Sequence, residues 1–238
     1  MKLSFVFISI FFLTISAFSQ ELTGEELLDK AISYHDPNGN WPSFNGTLNI
    51  TMETPSGQNR NTEIQINLAE EYFYSKAARD TISTEFILSK GDCEIVFCGE
   101  KEFSEETAKK YRLSCDRANM YKGYYEYLYG LPMKLKDPGT IIRKEVERKT
   151  FQEKEYLVLK ATYEAEVGSD IWYFYFNPKT YVMEIYQFFH VDEKTNKEIG
   201  GEYILLSGEK TINGIKMPKN RAWYTNKEDK LLGTDILN

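Results

Sequence analysis

From Phe44 onward the apolar residues fall mostly at every second position, interrupted by stretches with helical spacing. Phe44, Leu48, Ile50 and Met52 share one phase, and Ile64, Ile66 and Leu68 repeat it after the turn Pro55-Ser56-Gly57. That alternation predicts strands over 44–52 and 62–68, each with one buried face. Further strands are predicted over 72–76, 83–89 and 94–98, then a meander over 140–150, 155–163, 170–176, 181–190, 199–212, 215–225 and 231–237. Asn213-Gly214 is the strongest hairpin signal, since both residues tolerate the positive φ of a type I′ turn. Asn177-Pro178-Lys179-Thr180 reads as a type I turn with Pro at its second position. A four-residue loop there predicts Phe176 opposite Tyr181, Phe174 opposite Met183 and Trp172 opposite Ile185. One face of that hairpin would then carry Trp172, Phe174, Phe176, Tyr181, Met183, Ile185, Gln187 and Phe189.

Three helices are predicted. The first opens on Thr23 with Glu26 three residues on, a capping box, and places Leu28, Ala31, Ile32 and His35 on one face before Asp36-Pro37-Asn38-Gly39 ends it. A second, short and acidic, starts at Ser104. The third runs over about 116–129, with Met120, Tyr124 and Leu128 in one row and Tyr121, Tyr125 and Tyr129 in the next. So wide a stripe needs a large apolar partner, and the ring-rich hairpin face is the candidate. Tyrosine and methionine are adaptable, where a dry core favours Leu, Ile and Val. Gly123 inside the helix suggests a segment kept mobile or closely approached. The candidate ligand-binding residues are therefore Tyr121, Tyr124, Tyr125, Leu128, Trp172, Phe174, Phe176, Met183 and Ile185, around a cavity under a helical lid. The alternative is that helix and sheet simply pack into a dry core.

Residues 1–19 have the form of a secretory signal: Lys2, an apolar run from Phe5 to Ile15, and small residues Ala17 and Ser19 before Gln20. The apolar run is shorter than the roughly 20 residues of a membrane span, and no second stretch comes near that length. No Cys follows the small residues to take a lipid. Residues 20–238, about 219 in number, then read as one domain without linker or repeat. Without Lys2, 28 basic residues face 36 acidic ones, a net charge of −8. That balance, with no basic stripe, disfavours nucleic acid as a partner. Cys93, Cys98 and Cys115 make an odd count, so at least one has no partner within the chain. Cys93 and Cys98 are placed on opposite faces of one strand, and Cys115 could reach either.

Of catalytic motifs, no nucleophile elbow, phosphate loop, dinucleotide fingerprint or zinc-protease motif occurs, and no catalytic residue, metal site or cofactor is assigned. His35, at a helix C-terminus, suits a capping role; His190 ends a strand. Asp36 to Asn40 places oxygens as a calcium loop would, but Trp41 and Thr47 replace the Gly and Glu such a loop requires, so a turn is expected. Asp80-Thr81-Ile82 is similar to a short O-glycosylation acceptor motif.

His35-Asp36-Pro37 with Asn40-Trp41, Tyr124-Tyr125 through Leu128 to Met133, Lys136 to Gly139, Trp172 to Tyr175, Gly214 to Pro218 and Leu232 to Ile236 together resemble an exported family of flavobacteria and other Bacteroidetes without an assigned activity. Its architecture is similar to that of the periplasmic lipoprotein carriers (LolA/LolB-like). The resemblance implies a mainly β (α+β) fold: a curved antiparallel sheet or half-barrel of roughly ten to eleven strands, with about three helices on its concave face. It also implies, by fold only, binding of a lipid or acyl chain. The first reading is thus a non-enzymatic periplasmic or secreted binding protein for a hydrophobic ligand. The rival is a structural or interaction protein of the cell envelope, and a hydrolase comes third.

The signal reading predicts a mature chain beginning at or near Gln20. N-terminal sequencing of the envelope fraction checks this, and recovery of intact Met1 only in detergent extracts would overturn it.

Overall fold

The structure is a computed structural model that describes residues 22–192 and 194–238; the export signal expected over residues 1–19 lies outside the described residues. Thirteen strands, one more than the twelve segments read from alternation and more than the ten or eleven that the resemblance implied, form one curved, open, antiparallel sheet. The first run is β1 (Asn45–Glu53), β2 (Arg60–Asn67), β3 (Tyr72–Arg79), β4 (Ile82–Ser89) and β5 (Asp92–Phe97), each paired with the next. The second run is β6 (Thr140–Ile142), β7 (Glu147–Phe151), β8 (Lys154–Tyr163), β9 (Ile171–Phe176), β10 (Met183–Val191), β11 (Glu198–Ile212), β12 (Ile215–Thr225) and β13 (Leu231–Leu237). The two runs join where β13 pairs with β1, Ile50 opposite Leu237. β5 therefore lies at one edge, and β6 with β7 at the other.

Helix is scarcer than predicted. α2 (Glu105–Tyr111) and α3 (Cys115–Gly130) are separated only by Arg112-Leu113-Ser114, so they form one interrupted stretch; α1 (Gly24–His35) is the other. α1 starts as its sequence dictates. The Thr23 hydroxyl accepts the Glu26 N–H at 3.3 Å, and the Glu26 carboxylate accepts the Thr23 N–H at 2.8 Å. Leu27, Leu28 and Ala31 then bury fully against the sheet.

The extra strand has a local cause. The strand predicted over 140–150 is broken between β6 and β7, where α1 docks. The Gly24 N–H donates to the Lys144 carbonyl at 2.8 Å, and a Cβ on Gly24 would stand 2.1 Å from the Arg143 oxygen. Both fragments pair with β8.

The hairpin register also differs from expectation. Asn177 Oδ1 accepts the N–H groups of Lys179 and Thr180, Tyr181 takes φ +62°, and the ladder starts at Met183 opposite Phe176. A bulge between Met183 and Ile185 then moves every later residue of β10 to the other face. Tyr186 and Phe188 join Trp172, Phe174, Phe176 and Met183 on the helix side, while Ile185 and Phe189 turn to the outer face with Tyr156, Tyr173 and Tyr175. Gln187 goes with them, hydrogen-bonded to Tyr175 at 2.7 Å. The Asn213-Gly214 hairpin forms as predicted, with both φ positive and Ile212 opposite Ile215.

α3 is held at both ends. Cys115, its first residue, is disulfide-bonded to Cys93 on β5, which settles the pairing left open by sequence; Cys98 lies past the end of β5, exposed and free. At the other end a Cβ on Gly130 would stand 2.2 Å from the Trp41 ring, so only glycine lets the helix seat there. Because 22 residues separate the bridged cysteines, closing that loop stabilises by about 3 kcal/mol. Cys93→Ser with Cys115→Ser is expected to lower unfolding stability by that order in a denaturant titration. A loss below about 1 kcal/mol would mean that packing alone positions α3.

Candidate functional site

The tyrosines of α3 reach strands in both runs of the sheet. Tyr121 stacks on Phe86 of β4 (5.8 Å between ring centres), and Tyr125 on Phe73 of β3 (6.4 Å). Tyr124 stacks on Trp223 of β12 (6.3 Å), and Tyr127 meets Trp172 of β9 edge to face (5.3 Å). These contacts hold the helix off the strands at mid-sheet, because rings bridging across a curved face leave gaps that aliphatic side chains would have filled. A half-open cavity of about 440 Å³ results, under Tyr124, Tyr127 and Leu128. Its floor is Met52, Trp172, Phe188, Trp223 and Leu232, and its polar margin is Arg60, Asp170, Glu202 and Asp235.

Two further spaces adjoin it. A chamber of about 130 Å³ continues under the α2–α3 junction onto β2, β3 and β4, sharing Arg60. A cleft of about 590 Å³ lies beyond Tyr127, Asp170 and Trp172, beside Gly123. A Cβ on Gly123 would meet nothing within 4 Å, so this glycine is not closely approached; it leaves the cleft open.

Charge beneath α3 is concentrated in one cross-strand row. Leu206, Arg221, Asp235, Met52 and Arg60 are successive partners on β11, β12, β13, β1 and β2. Arg221 is only 1 % exposed; it donates to the Pro218 carbonyl at 3.1 Å and lies over the Tyr129 ring at 3.8 Å. Asp235 accepts the Trp223 indole N–H at 3.1 Å. Burial raises the Asp235 carboxyl above its usual range, while nearby Arg60 and Arg221 pull it down. Several buried polar atoms of this region make no hydrogen bond: Arg60 Nε, Thr62 Oγ1, Tyr186 Oη, Arg221 Nε and Asp235 Oδ1.

Of the nine residues proposed from sequence, Tyr124, Leu128 and Trp172 line the main cavity, and Tyr121 and Tyr125 line the chamber. Phe174, Phe176 and Met183 are fully buried core and touch neither. Ile185 is on the opposite face of the sheet, moved there by the bulge. Missed were Tyr127, Phe188, Trp223 and the charged row beside the cavity. The signal for that row was present: Arg221 is in phase with Ile215, Met217 and Trp223, and Asp235 with Leu237. A charge in the buried phase of a strand marks a polar site inside a core.

The two histidines have different surroundings. His35 is 2 % exposed and ties α1 to two strands instead of capping its own helix. Its Nε2 accepts the Met183 N–H at 3.1 Å, so the proton sits on Nδ1, which donates to the Lys216 carbonyl at 2.8 Å. Both nitrogens are spent on backbone. Asp36 beside it accepts the N–H groups of Asn40 and Trp41 at 2.7 and 2.8 Å, which is the turn expected there. His190 is exposed and pairs with Asp170 at 2.9 Å. Among the described residues no three His, Cys, Asp or Glu side chains are grouped to hold a metal, and no helix is long and apolar enough to cross a membrane.

The chain belongs to the family described as "Family of unknown function (DUF6503)", whose model matches residues 2–237. No curated protein matches it. Among solved structures it is similar to a LolA superfamily protein from Nitrosomonas europaea, at 10 % identity and a TM-score of 0.50, over 91 % of each chain. At 8 % identity and a TM-score of 0.48 it also matches a DUF1329 family protein from Desulfovibrio piger, over 92 % of each chain. A domain titled as an outer membrane lipoprotein-sorting protein, from Vibrio parahaemolyticus, matches at 9 % and 0.48, over 90 % of this chain and 91 % of that one. At such identity the first likeness shows the fold alone: the architecture is LolA-like.

Burial lowers the proton affinity of His35, and its Nε2 cannot accept a proton without losing Met183. The unfolded chain, with a histidine pKa of about 6.5, binds that proton first. Stability is therefore expected to fall as pH drops below about 6.5, by at most about 1.4 kcal/mol per unit, and to level off below the folded pKa. His35→Ala should cost about 2–4 kcal/mol by stranding two buried backbone groups, and should flatten that pH dependence. Denaturant titrations between pH 5 and 8 check both; an unchanged slope in the variant would place the proton elsewhere.

Proposed function

We propose that this member of the family is an envelope binding protein, exported by its N-terminal signal, that holds an apolar ligand such as an acyl chain or lipid beneath α3. The observation that carries the reading is the half-open cavity of about 440 Å³, floored by rings and closed above by Tyr124, Tyr127 and Leu128. Its size lies within the roughly 300–1,000 Å³ of small-molecule sites, and its few polar groups sit at the margin, as such sites have them. Each methylene transferred there from water contributes about 0.8 kcal/mol. The LolA-like architecture supports the reading by analogy of fold. So does the engagement of both His35 nitrogens by backbone, which leaves that residue no catalytic proton to move. Because α3 is bridged to β5 at one end and seated on Trp41 at the other, it serves as a fixed roof, and the ligand reaches the cavity from its open side.

The rival, a structural envelope protein with a dry core, draws on Phe174 and Phe176, which are fully buried and line none of the cavities described. Three substitutions separate the two. Phe174→Ala should destabilise by about 3–5 kcal/mol in either case. Tyr124, 38 % exposed, and Trp172 border the cavity, so Tyr124→Ala and Trp172→Ala should cost clearly less than Phe174→Ala. Each should also weaken binding of a fluorescent fatty acid by about fivefold or more, the loss typical of a contacting ring. No uptake by the wild type, with all three variants equally destabilised, would leave only the dry-core reading.

A further inference from the structure

The chamber of about 130 Å³ beside the aromatic cavity differs from it in chemistry. Three arginines line it: Arg60 from β2, Arg112 from the α2–α3 junction and Arg117 from the first turn of α3. No Asp or Glu is among its lining residues, and none of the three makes an ion pair among the described residues. Arg117 is turned onto the Tyr121 ring and hydroxyl, and so is aimed along the chamber wall. Thr62, Ser75 and Thr84 also line the chamber. Thr62 is 3 % exposed and its Oγ1 makes no hydrogen bond, nor does the buried Nε of Arg60.

Three like charges around one small space repel each other, and buried donors without acceptors are costly. Both problems are relieved by one occupant: an anion with several acceptor oxygens. Guanidinium forks match carboxylate and phosphate geometry, and hydrogen bonds between ionised partners are the strong ones. The space equals about four water molecules, enough for an acid group and too small for a chain. Asp235 lines the aromatic cavity and not the chamber, and it makes no ion pair with Arg60 among the described residues.

We propose that this chamber is an oxyanion site for a carboxylate or phosphate group. Arg60 borders both spaces, which makes the acid end of an amphiphile its natural occupant, with the apolar part in the aromatic cavity. In that form the proposal rests on the function proposed above. A free anion is the other source of the same chemistry.

The test compares palmitate, hexadecanol and inorganic phosphate, read for the chains by the change in intrinsic tryptophan emission, to which Trp172 and Trp223 at the cavity contribute, and by calorimetry for phosphate. Wild type is expected to bind palmitate roughly tenfold or more tighter than hexadecanol, and Arg117→Gln or Arg60→Gln to shrink that ratio. Near-UV circular dichroism of each variant confirms that it is folded. Phosphate binding that disappears in Arg117→Gln, with no preference for palmitate, supports the site with a free anion as its source. If phosphate binds and neither chain does, the oxyanion site stands and the apolar-ligand reading fails. Equal binding of both chains without phosphate binding overturns the oxyanion site alone, as does a palmitate preference that both arginine variants retain. If none of the three binds, both readings fall.

Discussion

The architecture depends on one topological demand: the chain leaves the sheet at one edge and must re-enter at the other. β5 and β6 lie at opposite ends of a path of twelve strands, which would span roughly 50 Å if flat. Only α2, α3 and a short 3₁₀ turn at Met133–Lys136 connect them, and α3 is about 24 Å long. The sheet curves, and the helix lies across its face. Everything proposed about function follows from that crossing, because a straight helix spanning a curved sheet cannot touch it everywhere.

Where the two surfaces part, side-chain chemistry decides what fills the gap. At the ends α3 is held close, by the Cys93–Cys115 bridge and by the Gly130 seat on Trp41. Between them the tyrosines extend to the strands as struts, burying rings while their hydroxyls stay near polar neighbours. Tyr125 illustrates this: burial pushes its hydroxyl up to about 12, against the pull of Arg60, so it remains neutral. The result is a packed core around Phe174 and Phe176, and open space that begins at Trp172 on the same strand.

The row Arg221–Asp235–Met52–Arg60, buried at Arg221 and Asp235 and half-buried at Met52 and Arg60, is a liability for stability. Two guanidinium groups against one carboxylate leave an excess of positive charge in a region walled by rings. Replacing such groups by apolar residues of similar volume is often neutral or stabilising. Their presence next to two cavities that share Arg60 is the kind of local conflict that marks a functional surface.

Sequence by itself determined the local elements. Strand phase, the Thr23–Glu26 capping box, the Asn213-Gly214 turn and the tyrosine stripe of α3 are set by neighbours within a few residues, and all could be read directly. The mainly β character and the partnership of α3 with an aromatic sheet face followed from them. Tertiary structure decided three things. The bulge after Met183, invisible to turn chemistry, sent Ile185 to the outer face and brought Phe188 inward. Docking of Gly24 on the Arg143–Lys144 segment cut one predicted strand in two. The β1–β13 pairing, between residues nearly the whole described chain apart, assembled Arg60, Asp235 and Trp223 from three distant strands. Alternation tells which face a residue occupies but not which strand lies beside it. A cavity lined from seven neighbouring strands is therefore a property of the pairing order, which no local pattern encodes.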